Sequence, residues 1–484
     1  MSVVGYDHLQ QDVDNPDPQV NSPSEKLALG TGLAGAIGDR YVIVMVGVPG
    51  SGKTYVSRRI SQYLQFFHGS ETEVFNVGEY RRNMVGAKSP HSFFDVKDEK
   101  SMALRNACAE KAMEDLKKWL QKVGEPPRVA FYDASNVTRE RRSWILAQLE
   151  PILESSGKAI FVECMSNTEE LSPGTLAEIK GMPDYKDVDE KDAVDDYRER
   201  IKHYRAAYEP LDATLDMSVS WIKIVDDGQH ISMNRIAGFL PGRIVQFLMN
   251  MNTKMRPIYL SRHGQSMYNV QGKIGGDSLL SESGEAYAEE LAKYVHTEIL
   301  GLNPDGSFKD PEKKTAPHAR LFTSTLRRTK LTARHITHQV CDDGWIIMRP
   351  RECSALDEIY AGVFDGMTYE EIQLKAPSEF QERKADKLAY RYPRGESYLD
   401  VIQRLDAIVH EVERQRDPVL IVGHQGILRI LYSYFMGDSR ESAPFVSIPL
   451  NHVIKLERGT YSCKVTRVNL ARDQHACADE PPSH

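Results

Sequence analysis

The sequence predicts two consecutive α/β domains, and three observations carry this prediction. The sequence contains two series of predicted strands and helices. Each series begins with a continuous apolar run of strand length, one at residues 41–48 and one from Pro257 onward. Within each series, further apolar runs alternate with helical stretches, which is typical of a parallel sheet covered by helices. The chain has 484 residues, and at about 100–200 residues per domain the simplest division is into two domains of similar size.

The first series lies between a tail and a short linker. Residues 1–40 contain three prolines, scattered acids and a glycine-rich stretch but few large apolar side chains, so we expect a disordered tail there. The domain that follows is predicted to span residues 41–253. Its expected strands are 41–48, 74–77, 129–132, 159–162 and 221–225, and its expected helical segments are 99–120, 138–153, 184–208 and 235–251.

The second series predicts another α/β domain, over residues 257–470. Its expected strands begin at Pro257, at 320–323 and at 418–422, and its expected helices are 284–298 and 396–416. Residues 471–484 form a polar tail, and we find no internal repeat between the two halves.

Composition excludes several classes of protein. The chain carries 61 basic and 69 acidic residues, so it has no excess positive charge with which to bind a nucleic-acid backbone. Its longest apolar run is far shorter than the ~20 residues of a membrane span, and its first residues lack the pattern of a secretory signal. Its six cysteines form no CxxC pair. We therefore expect a cytoplasmic protein that binds neither membranes nor nucleic acids.

Directly after the first strand, the segment GVPGSGKT at residues 47–54 fits the pattern of a phosphate-binding loop. Its glycines let consecutive backbone N–H groups point at phosphate oxygens, and the start of the next helix adds a positive dipole end. Lys53 would neutralise the β- and γ-phosphates, and Thr54 would supply a hydroxyl ligand to magnesium. The alternative is a glycine-rich turn that binds nothing.

A partner acid for this loop is expected at the end of a neighbouring strand. The segment RVAFYDASN places Asp133 there, where its carboxylate could hold magnesium directly or through water. The alternative is an aspartate that caps the following helix.

Basic clusters at strand ends suggest where a phosphorylated acceptor binds, because an arginine fork binds two phosphate oxygens at once. Taken alone, each cluster is more often a solvated helix face, but their positions beside the loop favour binding. The arginines in these clusters are Arg81, Arg82, Arg139, Arg141 and Arg142.

The second domain places two histidines past the ends of buried strands. The segment YLSRHGQS carries Arg262 and His263, and PVLIVGHQG carries His424. A neutral imidazole is a capable nucleophile toward phosphorus, and arginines such as Arg262 and Arg328 can hold phosphoryl oxygens. Glu358, in ALDEIYAG, is a candidate proton donor to the leaving oxygen. The alternative is that both histidines have only a structural role.

Together, the two halves resemble the bifunctional 6-phosphofructo-2-kinase/fructose-2,6-bisphosphatase family from about residue 41 to residue 470. The resemblance implies a P-loop kinase domain with a parallel sheet, followed by a histidine-phosphatase (phosphoglycerate mutase-like) α/β domain. The segments that carry it, in order, are VFNVGEYRR, FYDASNVTRERR, MPDY, YEPLD, FLMNMN, RHGQSMYNVQGKIGGDS, LDEIYAGVFDGMTYEEI and YRYPRGESY.

The resemblance also implies roles in the kinase half, with Lys53 and Asp133 catalytic and Thr54 and Asp133 holding Mg²⁺ with ATP. The implied nucleotide-binding residues are Gly47, Val48, Pro49, Gly50, Ser51, Gly52, Lys53, Thr54 and Tyr55. The implied contacts of fructose 6-phosphate are Arg81, Arg105, Ser135, Arg141, Lys180, Arg200 and Tyr204.

In the phosphatase half, the resemblance implies that His263 becomes a phosphohistidine, that Arg262, Arg328 and His424 clamp the phosphoryl group, and that Glu358 is the acid. No cofactor is expected there. The implied contacts of fructose 2,6-bisphosphate are Arg262, Asn269, Gly275, Tyr369, Arg383, Lys387, Tyr398, Gln425 and Arg429.

The chain departs from the family pattern at several positions. Gln265 replaces a glutamate and removes a negative charge, but no nucleophile or clamp is lost, so we expect the phosphatase to survive. Tyr360 replaces an aspartate beside the predicted acid, with an effect that the sequence does not settle, and Ser166 makes a thiol-dependent role doubtful. The remaining departures are the conservative Ser135 and the ordinary loop pair Gly50 and Ser51.

The expected function is therefore synthesis of fructose 2,6-bisphosphate from ATP and fructose 6-phosphate, together with its hydrolysis at the 2-position, in a homodimer. One alternative is a chain in which a single activity predominates. Another alternative is a catalytically silent regulator that binds metabolites. A silent regulator would be expected to have lost Lys53, Asp133, His263 or His424, but all four residues are present.

Overall fold

The computed structural model describes residues 39–95, 98–122, 126–153, 157–166, 171, 173–226, 228–252, 256–310, 312, 317–341, 344–459 and 463–471. Residues 1–38 and 472–484 of the two predicted tails, and residues 253–255 at the linker, lie outside these residues, whereas Arg40 already belongs to a strand. Within these ranges, no helix combines the length and the apolar content needed to cross a membrane.

The first domain is a six-stranded sheet in the order β2-β3-β1-β4-β5-β6, with helices on its two faces. Its strands are β1 (Arg40–Val46), β2 (Glu71–Asn76), β3 (Arg128–Asp133), β4 (Gly157–Met165), β5 (Trp221–Val225) and β6 (His230–Asn234). Its α-helices are α1 (Lys53–His68), α2 (Val77–Val85), α3 (Glu99–Leu120), α4 (Arg139–Leu153), α5 (Pro173–Gly181), α6 (Glu190–Ala206) and α7 (Phe239–Asn250).

Five of these strands are parallel, as expected, and β1 lies at the centre between β3 and β4. The expectation of a wholly parallel sheet is wrong at one edge, because β6 runs antiparallel to β5. This strand, HISMN, is short and mostly exposed, so it lacks the apolar run that revealed the other strands. Helix α7 begins at Phe239, four residues later than expected, directly after Gly238, whose φ is +109°.

The second domain is also a six-stranded sheet, in the order β11-β8-β12-β7-β13-β14. Its strands are β7 (Pro257–Arg262), β8 (Arg320–Thr323), β11 (Pro350–Glu352), β12 (Val419–Gly423), β13 (His452–Arg458) and β14 (Cys463–Asn469), and a separate two-stranded sheet contains β9 (Gln339–Val340) and β10 (Ile346–Ile347). Its α-helices are α8 (Met267–Val270), α9 (Glu282–Tyr294), α10 (Arg327–Ala333), α11 (Tyr369–Lys375), α12 (Pro377–Ala385), α13 (Tyr398–Arg414) and α14 (Gln425–Met436).

Strands β7, β8 and β12 are parallel neighbours, so their carboxyl ends meet at one edge of the sheet. The antiparallel pair β13 and β14 was not expected, and it makes this sheet mixed as well. Ligands of such sheets bind at the carboxyl ends of the parallel strands. The fold therefore brings the segments that follow β7, β8 and β12 to one place.

The two domains share one apolar core, in which α1 and α7 face α13. A buried carboxylate, Glu413, lies at this interface and pairs with Arg59 of α1 at 2.5 Å and with Arg458 of β13 at 2.8 Å. Burial alone would raise the pKa of Glu413, but these guanidinium groups and that of Arg256 outweigh burial and lower it to about 2. A buried ion cluster thus joins the helix behind the phosphate loop to the second domain.

Candidate active sites

The first candidate site begins at the loop between β1 and α1. Gly47 has a φ of +139°, and a Cβ atom there would lie 2.4 Å from the carbonyl oxygen of Cys164, so only glycine fits. Gly52, with a φ of +82°, immediately precedes α1. The loop therefore turns tightly at the amino end of α1, where the free N–H groups of a helix attract anions.

Lys53 stands at the first position of α1 and is buried. Its Nζ donates a hydrogen bond of 2.6 Å to the carbonyl oxygen of Val48, which bends the side chain back over the loop. The ammonium charge is thereby held above the backbone that would cradle a phosphate.

Asp133 ends β3 beside this loop and is buried. Its Oδ2 accepts hydrogen bonds of 2.7 Å from both Thr54 Oγ1 and Asn76 Nδ2. Burial raises the pKa of Asp133, although Thr54, Lys53 and Asn76 each favour its charged form. Hydroxyl and carboxylate oxygens are the donors that magnesium prefers, so Thr54 and Asp133 fit a magnesium ion delivered with a nucleotide.

The loop opens into a cleft of about 730 Å³. Pro49, Gly50, Gly52, Lys53, Thr54 and Asp133 line it. Six of the seven residues predicted to bind fructose 6-phosphate line the same cleft, namely Arg81, Arg105, Ser135, Arg141, Arg200 and Tyr204. The structure therefore brings most of the predicted nucleotide and acceptor residues together in one space.

Arg81 is the most buried of these arginines. It pairs with the buried carboxylate of Asp184, yet its Nε and Nη1 groups find no hydrogen-bond partner within the described residues. Leaving a buried donor unpaired costs free energy, which an anionic ligand would recover. Arg200 reaches the same region, with its guanidinium group 3.7 Å above the ring centre of Phe94. This end of the cleft fits a phosphate monoester.

Some predicted residues lie away from the cleft. Lys180 is exposed and pairs with Glu190 at 2.9 Å. Val48 packs against the apolar cluster around Tyr197, and Tyr55 packs against the core shared by the two domains. For these residues, binding stays a prediction.

Two arginines of the predicted basic clusters make structural contacts instead. Arg142 is buried, and its Nη1 donates to the carbonyl oxygens of Asn136, Val137 and Glu209. Arg139 pairs with Glu209 at 3.6 Å. Within that cluster, Arg141 is the arginine that lines the cleft.

The second candidate site lies where β7 and β12 end. His263 is buried, and its Nδ1 donates a hydrogen bond of 2.8 Å to the carbonyl oxygen of Gly264. Burial, followed by the charges of Arg328 and Arg262, holds the pKa of His263 well below its usual range. Because the ring is neutral and Nδ1 carries the proton, Nε2 keeps its lone pair and is free to act as a nucleophile.

His424 faces His263, with 5.2 Å between ring centres. Its Nδ1 accepts a hydrogen bond of 3.1 Å from Arg328 Nε, and its Nε2 lies 2.7 Å from the hydroxyl of Ser324. Burial and the charge of Arg328 lower its pKa well below the usual value, so the ring is neutral. It follows that Nε2 carries the proton and donates to Ser324, and a phosphoryl oxygen could take the place of that acceptor.

Glu358 contacts the start of the helix that follows His424. Its carboxylate accepts hydrogen bonds from the backbone N–H groups of Ile359 at 3.0 Å and of Gly426 at 3.2 Å. Gly426 belongs to the first turn of α14, two residues after His424. The carboxyl group is thereby held at the start of α14, near enough to Arg328 for the two charges to interact.

The residues predicted for the sugar bisphosphate form a cationic wall lined by tyrosines. Arg383 donates to the hydroxyls of Tyr392 and Tyr369, each at 2.8 Å. Arg429 donates to the hydroxyl of Tyr398 at 3.4 Å. Burial, then Arg429 and Arg383, lower the pKa of Lys387 to about 8. Three basic groups held this close to one another fit a ligand with a second phosphate.

The other predicted contacts have different surroundings. Asn269 accepts hydrogen bonds from the backbone and side chain of Ser266. Gly275 has a φ of +68°, and a Cβ there would collide with Asp365. Gln425 is the first residue of α14, next to His424. Their contact with a ligand stays a prediction.

Two of the departures from the family pattern, Gln265 and Tyr360, lie in the second domain, and Ser166 lies in the first. Ser281, which caps α9, donates to Gln265 Oε1 at 2.8 Å, so the amide at this position anchors a helix start. The side chain of Tyr360 is half-exposed, and its backbone N–H donates to Glu396 at 3.0 Å. Ser166 is exposed at the end of β4.

Among the residues that local sequence patterns did not reveal, three make hydrogen bonds or ion pairs with predicted site residues. Asn76 bonds to Asp133, Asp184 neutralises Arg81, and Ser324 bonds to His424. Asn76 and Ser324 each stand where a strand ends, beside residues already selected, so that position was the available signal. Asp184 lies more than a hundred residues from Arg81, and no local pattern marks the pair.

Comparisons with known proteins agree with this arrangement. A family model described as 6-phosphofructo-2-kinase matches residues 35–255, and a model of the histidine phosphatase superfamily, branch 1, matches residues 258–302 and 311–471. Thus one family model covers the phosphate loop and its cleft, and the other covers the paired histidines.

Curated relatives match along most of the chain. A 6-phosphofructo-2-kinase/fructose-2,6-bisphosphatase of Arabidopsis thaliana is 39% identical over 465 residues, which are 95% of this chain and 58% of the relative. A 6-phosphofructo-2-kinase/fructose-2,6-bisphosphatase 3 of Rattus norvegicus is 41% identical over 431 residues, covering 89% of this chain and 72% of the relative. The human protein of that name is 40% identical, with coverages of 89% and 76%. The chain thus spans less than two thirds of the plant relative.

Proposed function

Because the chain belongs to the bifunctional 6-phosphofructo-2-kinase/fructose-2,6-bisphosphatase family, with the kinase domain followed by the histidine phosphatase domain, we propose that it both makes and breaks fructose 2,6-bisphosphate. The cleft of the first domain would join ATP and fructose 6-phosphate, and the histidine site of the second would hydrolyse the product at the 2-position. By setting the level of that bisphosphate, the chain would control a regulator of glycolysis.

In the kinase reaction, the backbone of the loop and Lys53 bind the β- and γ-phosphates and stabilise the charge that spreads over the transferred group. Thr54 and Asp133 would hold a magnesium ion, which when bound supplies further neutralisation of the phosphates. Arg81 and Arg200 bind the phosphate of the acceptor, which orients its 2-hydroxyl toward the γ-phosphate. The cleft thereby makes the transfer effectively intramolecular.

In the phosphatase reaction, Nε2 of His263 attacks the 2-phosphorus, and the bond from phosphorus to the sugar oxygen breaks. Glu358 gives its proton to that oxygen, while Arg262, Arg328 and His424 hold the phosphoryl oxygens. Water then attacks the phosphohistidine and gives a proton to the Glu358 carboxylate, and the P–N bond breaks to release phosphate. The chain returns to its starting state.

The observation that carries the proposal is the pair of buried, neutral imidazoles, of which His263 presents an unprotonated Nε2. If the two histidines had only a structural role, neither this tautomer of His263 nor the two neighbouring arginines would be required. The complete phosphate loop in the same chain supports the opposing reaction.

The test is to assay both reactions on the purified chain, with fructose 2,6-bisphosphate as product in one direction and as substrate in the other. We expect both activities. One activity without the other would support the alternative of a chain dominated by a single reaction, and the absence of both, with ligand binding retained, would support a silent regulator. The homodimer and the cytoplasmic location stay predictions.

A further inference from the structure

The segment that carries Glu358 lacks regular structure of its own beyond one 3-10 turn at Ser354–Leu356. Its position is fixed by contacts at both ends. Asp357 accepts hydrogen bonds of 2.7 Å from the backbone N–H of Thr325 and of 2.7 Å from its hydroxyl. Glu358 itself reaches Gly426 at the start of α14. The carboxyl group therefore depends on a short irregular segment for its placement.

The side chain of Arg404 binds the main chain of this segment. Arg404, in the second turn of α13, donates to the carbonyl oxygens of Ala355 at 2.5 Å, Asp357 at 2.7 Å and Glu358 at 3.4 Å. Carbonyl oxygens that converge on one place need donors, and a guanidinium group offers five in a fixed plane. A lysine could not bind the three carbonyls with the same geometry.

Glu396 completes this arrangement. Its carboxylate accepts hydrogen bonds from Arg404 Nε at 2.8 Å and Nη2 at 3.1 Å, and also from the backbone N–H of Tyr360 at 3.0 Å. The backbone N–H of Glu396 donates to the carbonyl oxygen of Tyr360 at 2.9 Å. Both side chains are only about a quarter exposed, at 22% and 26%, so the pair is partly shielded from competing water. The segment from residue 355 to residue 360 is thus held by Arg404 of α13 and by Glu396, which lies two residues before that helix.

We propose that Arg404, held by Glu396, is a positioning residue for the proton donor of the phosphatase. It fixes the main chain on both sides of Glu358, so that the carboxyl group stays within reach of the leaving sugar oxygen. This inference rests on the proposed role of Glu358. A misplacement of about 1 Å at such a group costs on the order of 10²-fold in rate.

Proton donation matters only when the leaving oxygen is a poor leaving group, and this provides a specific test. Single turnovers with enzyme in excess would be measured for fructose 2,6-bisphosphate, whose leaving group is a sugar hydroxyl, and for 4-nitrophenyl phosphate, whose leaving group departs as a stable phenolate. For Arg404→Gln and Arg404→Lys, we expect phosphoenzyme formation from the bisphosphate to fall about 10- to 100-fold. We expect less than a twofold change with the aryl phosphate.

The controls separate positioning from folding. Arg414→Gln changes an exposed arginine of the same helix that pairs with Glu411, and both substrates should react at the wild-type rate. The kinase activity of each variant reports whether the chain has folded. If Arg404→Gln fails to accumulate, Arg404→Lys, which keeps the charge, serves as the second variant. The KM for the bisphosphate should stay within about threefold, because Arg404 does not bind the ligand.

Equal losses with both substrates in a folded variant would overturn the proposal, since the role of Arg404 would then be general. Unchanged rates with both would also overturn it. Glu358→Gln tests the premise separately. If that variant lacks the dependence on leaving group, the proposed role of Glu358 fails, whereas if it shows the dependence and the Arg404 variants do not, only the present inference fails.

Discussion

In the kinase cleft, two buried guanidinium nitrogens of Arg81 have no partner among the described residues, whereas in the phosphatase site both nitrogens of His424 are already hydrogen-bonded. The cleft is a space of about 730 Å³ that is lined by several arginines and Lys53. The histidine site is almost fully buried, and Arg328 is held by His424 and by the carbonyl oxygen of Gly276. Arg81 thus has donors left for a ligand, whereas His424 and Arg328 are held by other groups of the protein.

The difference follows from the chemistry of each site. A kinase must admit two substrates and then exclude water, so part of its binding energy is used to assemble the site. A phosphatase that uses a covalent intermediate needs a nucleophile of fixed tautomer and orientation from the start. We therefore expect changes in the histidine site to affect kcat and changes in the acceptor arginines to affect KM.

The largest effect should come from His263→Ala, which removes the atom that forms the covalent intermediate. Hydrolysis of fructose 2,6-bisphosphate should fall on the order of 10⁴-fold or more, while the rate of the kinase reaction stays near wild type. Steady-state assays of both reactions measure this. The exposed His335→Ala variant is the control, and full phosphatase activity in His263→Ala would refute the assignment of the nucleophile.

Lys53→Ala should give the converse result. Kinase turnover should fall about 10³-fold because the transferred phosphoryl group loses its cation, and phosphatase turnover should not change. The same two assays apply, with Lys111→Ala, an exposed lysine of α3 that pairs with Asp115, as the matched control. Loss of both activities in Lys53→Ala would show that the sites are not independent.

The acceptor arginines should show a smaller effect of a different kind. Arg81→Ala and Arg200→Ala should raise the KM for fructose 6-phosphate about 10- to 100-fold, as expected for a lost charged hydrogen bond, with a smaller change in kcat. Arg198, exposed on the same helix as Arg200 and paired with Asp195, provides the control. An unchanged KM in both variants would contradict the placement of the acceptor in this cleft.

The pH dependence of the phosphatase should be the mildest of these effects. The pKa of Lys387 is lowered from 10.5 to about 8, so its charge is present below pH 8 and is lost as the pH rises through that value. The kcat/KM for the bisphosphate should therefore decline above pH 8, by up to about tenfold per pH unit. In Lys387→Arg, the decline of kcat/KM above pH 8 should disappear. If the variant shows the same decline, the decline is caused by another titrating group.

The parts of the two sites that depend on local sequence were predictable. The phosphate loop and the two histidines follow buried strands that are recognisable by their apolar runs. The residues that carry the chemistry of each site lie next to these strands in the sequence. The kinase and phosphatase domains and the membership of the family are confirmed.

What escaped prediction depends on contacts between distant residues or on strands with weak patterns. Asp184 opposite Arg81 and Arg404 behind Glu358 are brought into place only by the fold. The antiparallel strands β6 and β13–β14 alternate or lie partly exposed, so they do not show the continuous apolar run of a buried parallel strand. Sequence periodicity also gave no sign that the two domains share one core.

The central claim, that one chain carries an independent kinase site and a phosphatase that works through His263, is tested most directly by trapping the intermediate. Fructose 2,6-bisphosphate labelled at the 2-phosphate would be mixed with the wild-type chain, His263→Ala and Lys53→Ala, and each reaction would be quenched on the millisecond scale. We predict acid-labile label on the wild-type chain and on Lys53→Ala, and none on His263→Ala. Hydrolysis by the wild-type chain without retained label, or label retained by His263→Ala, would contradict the account.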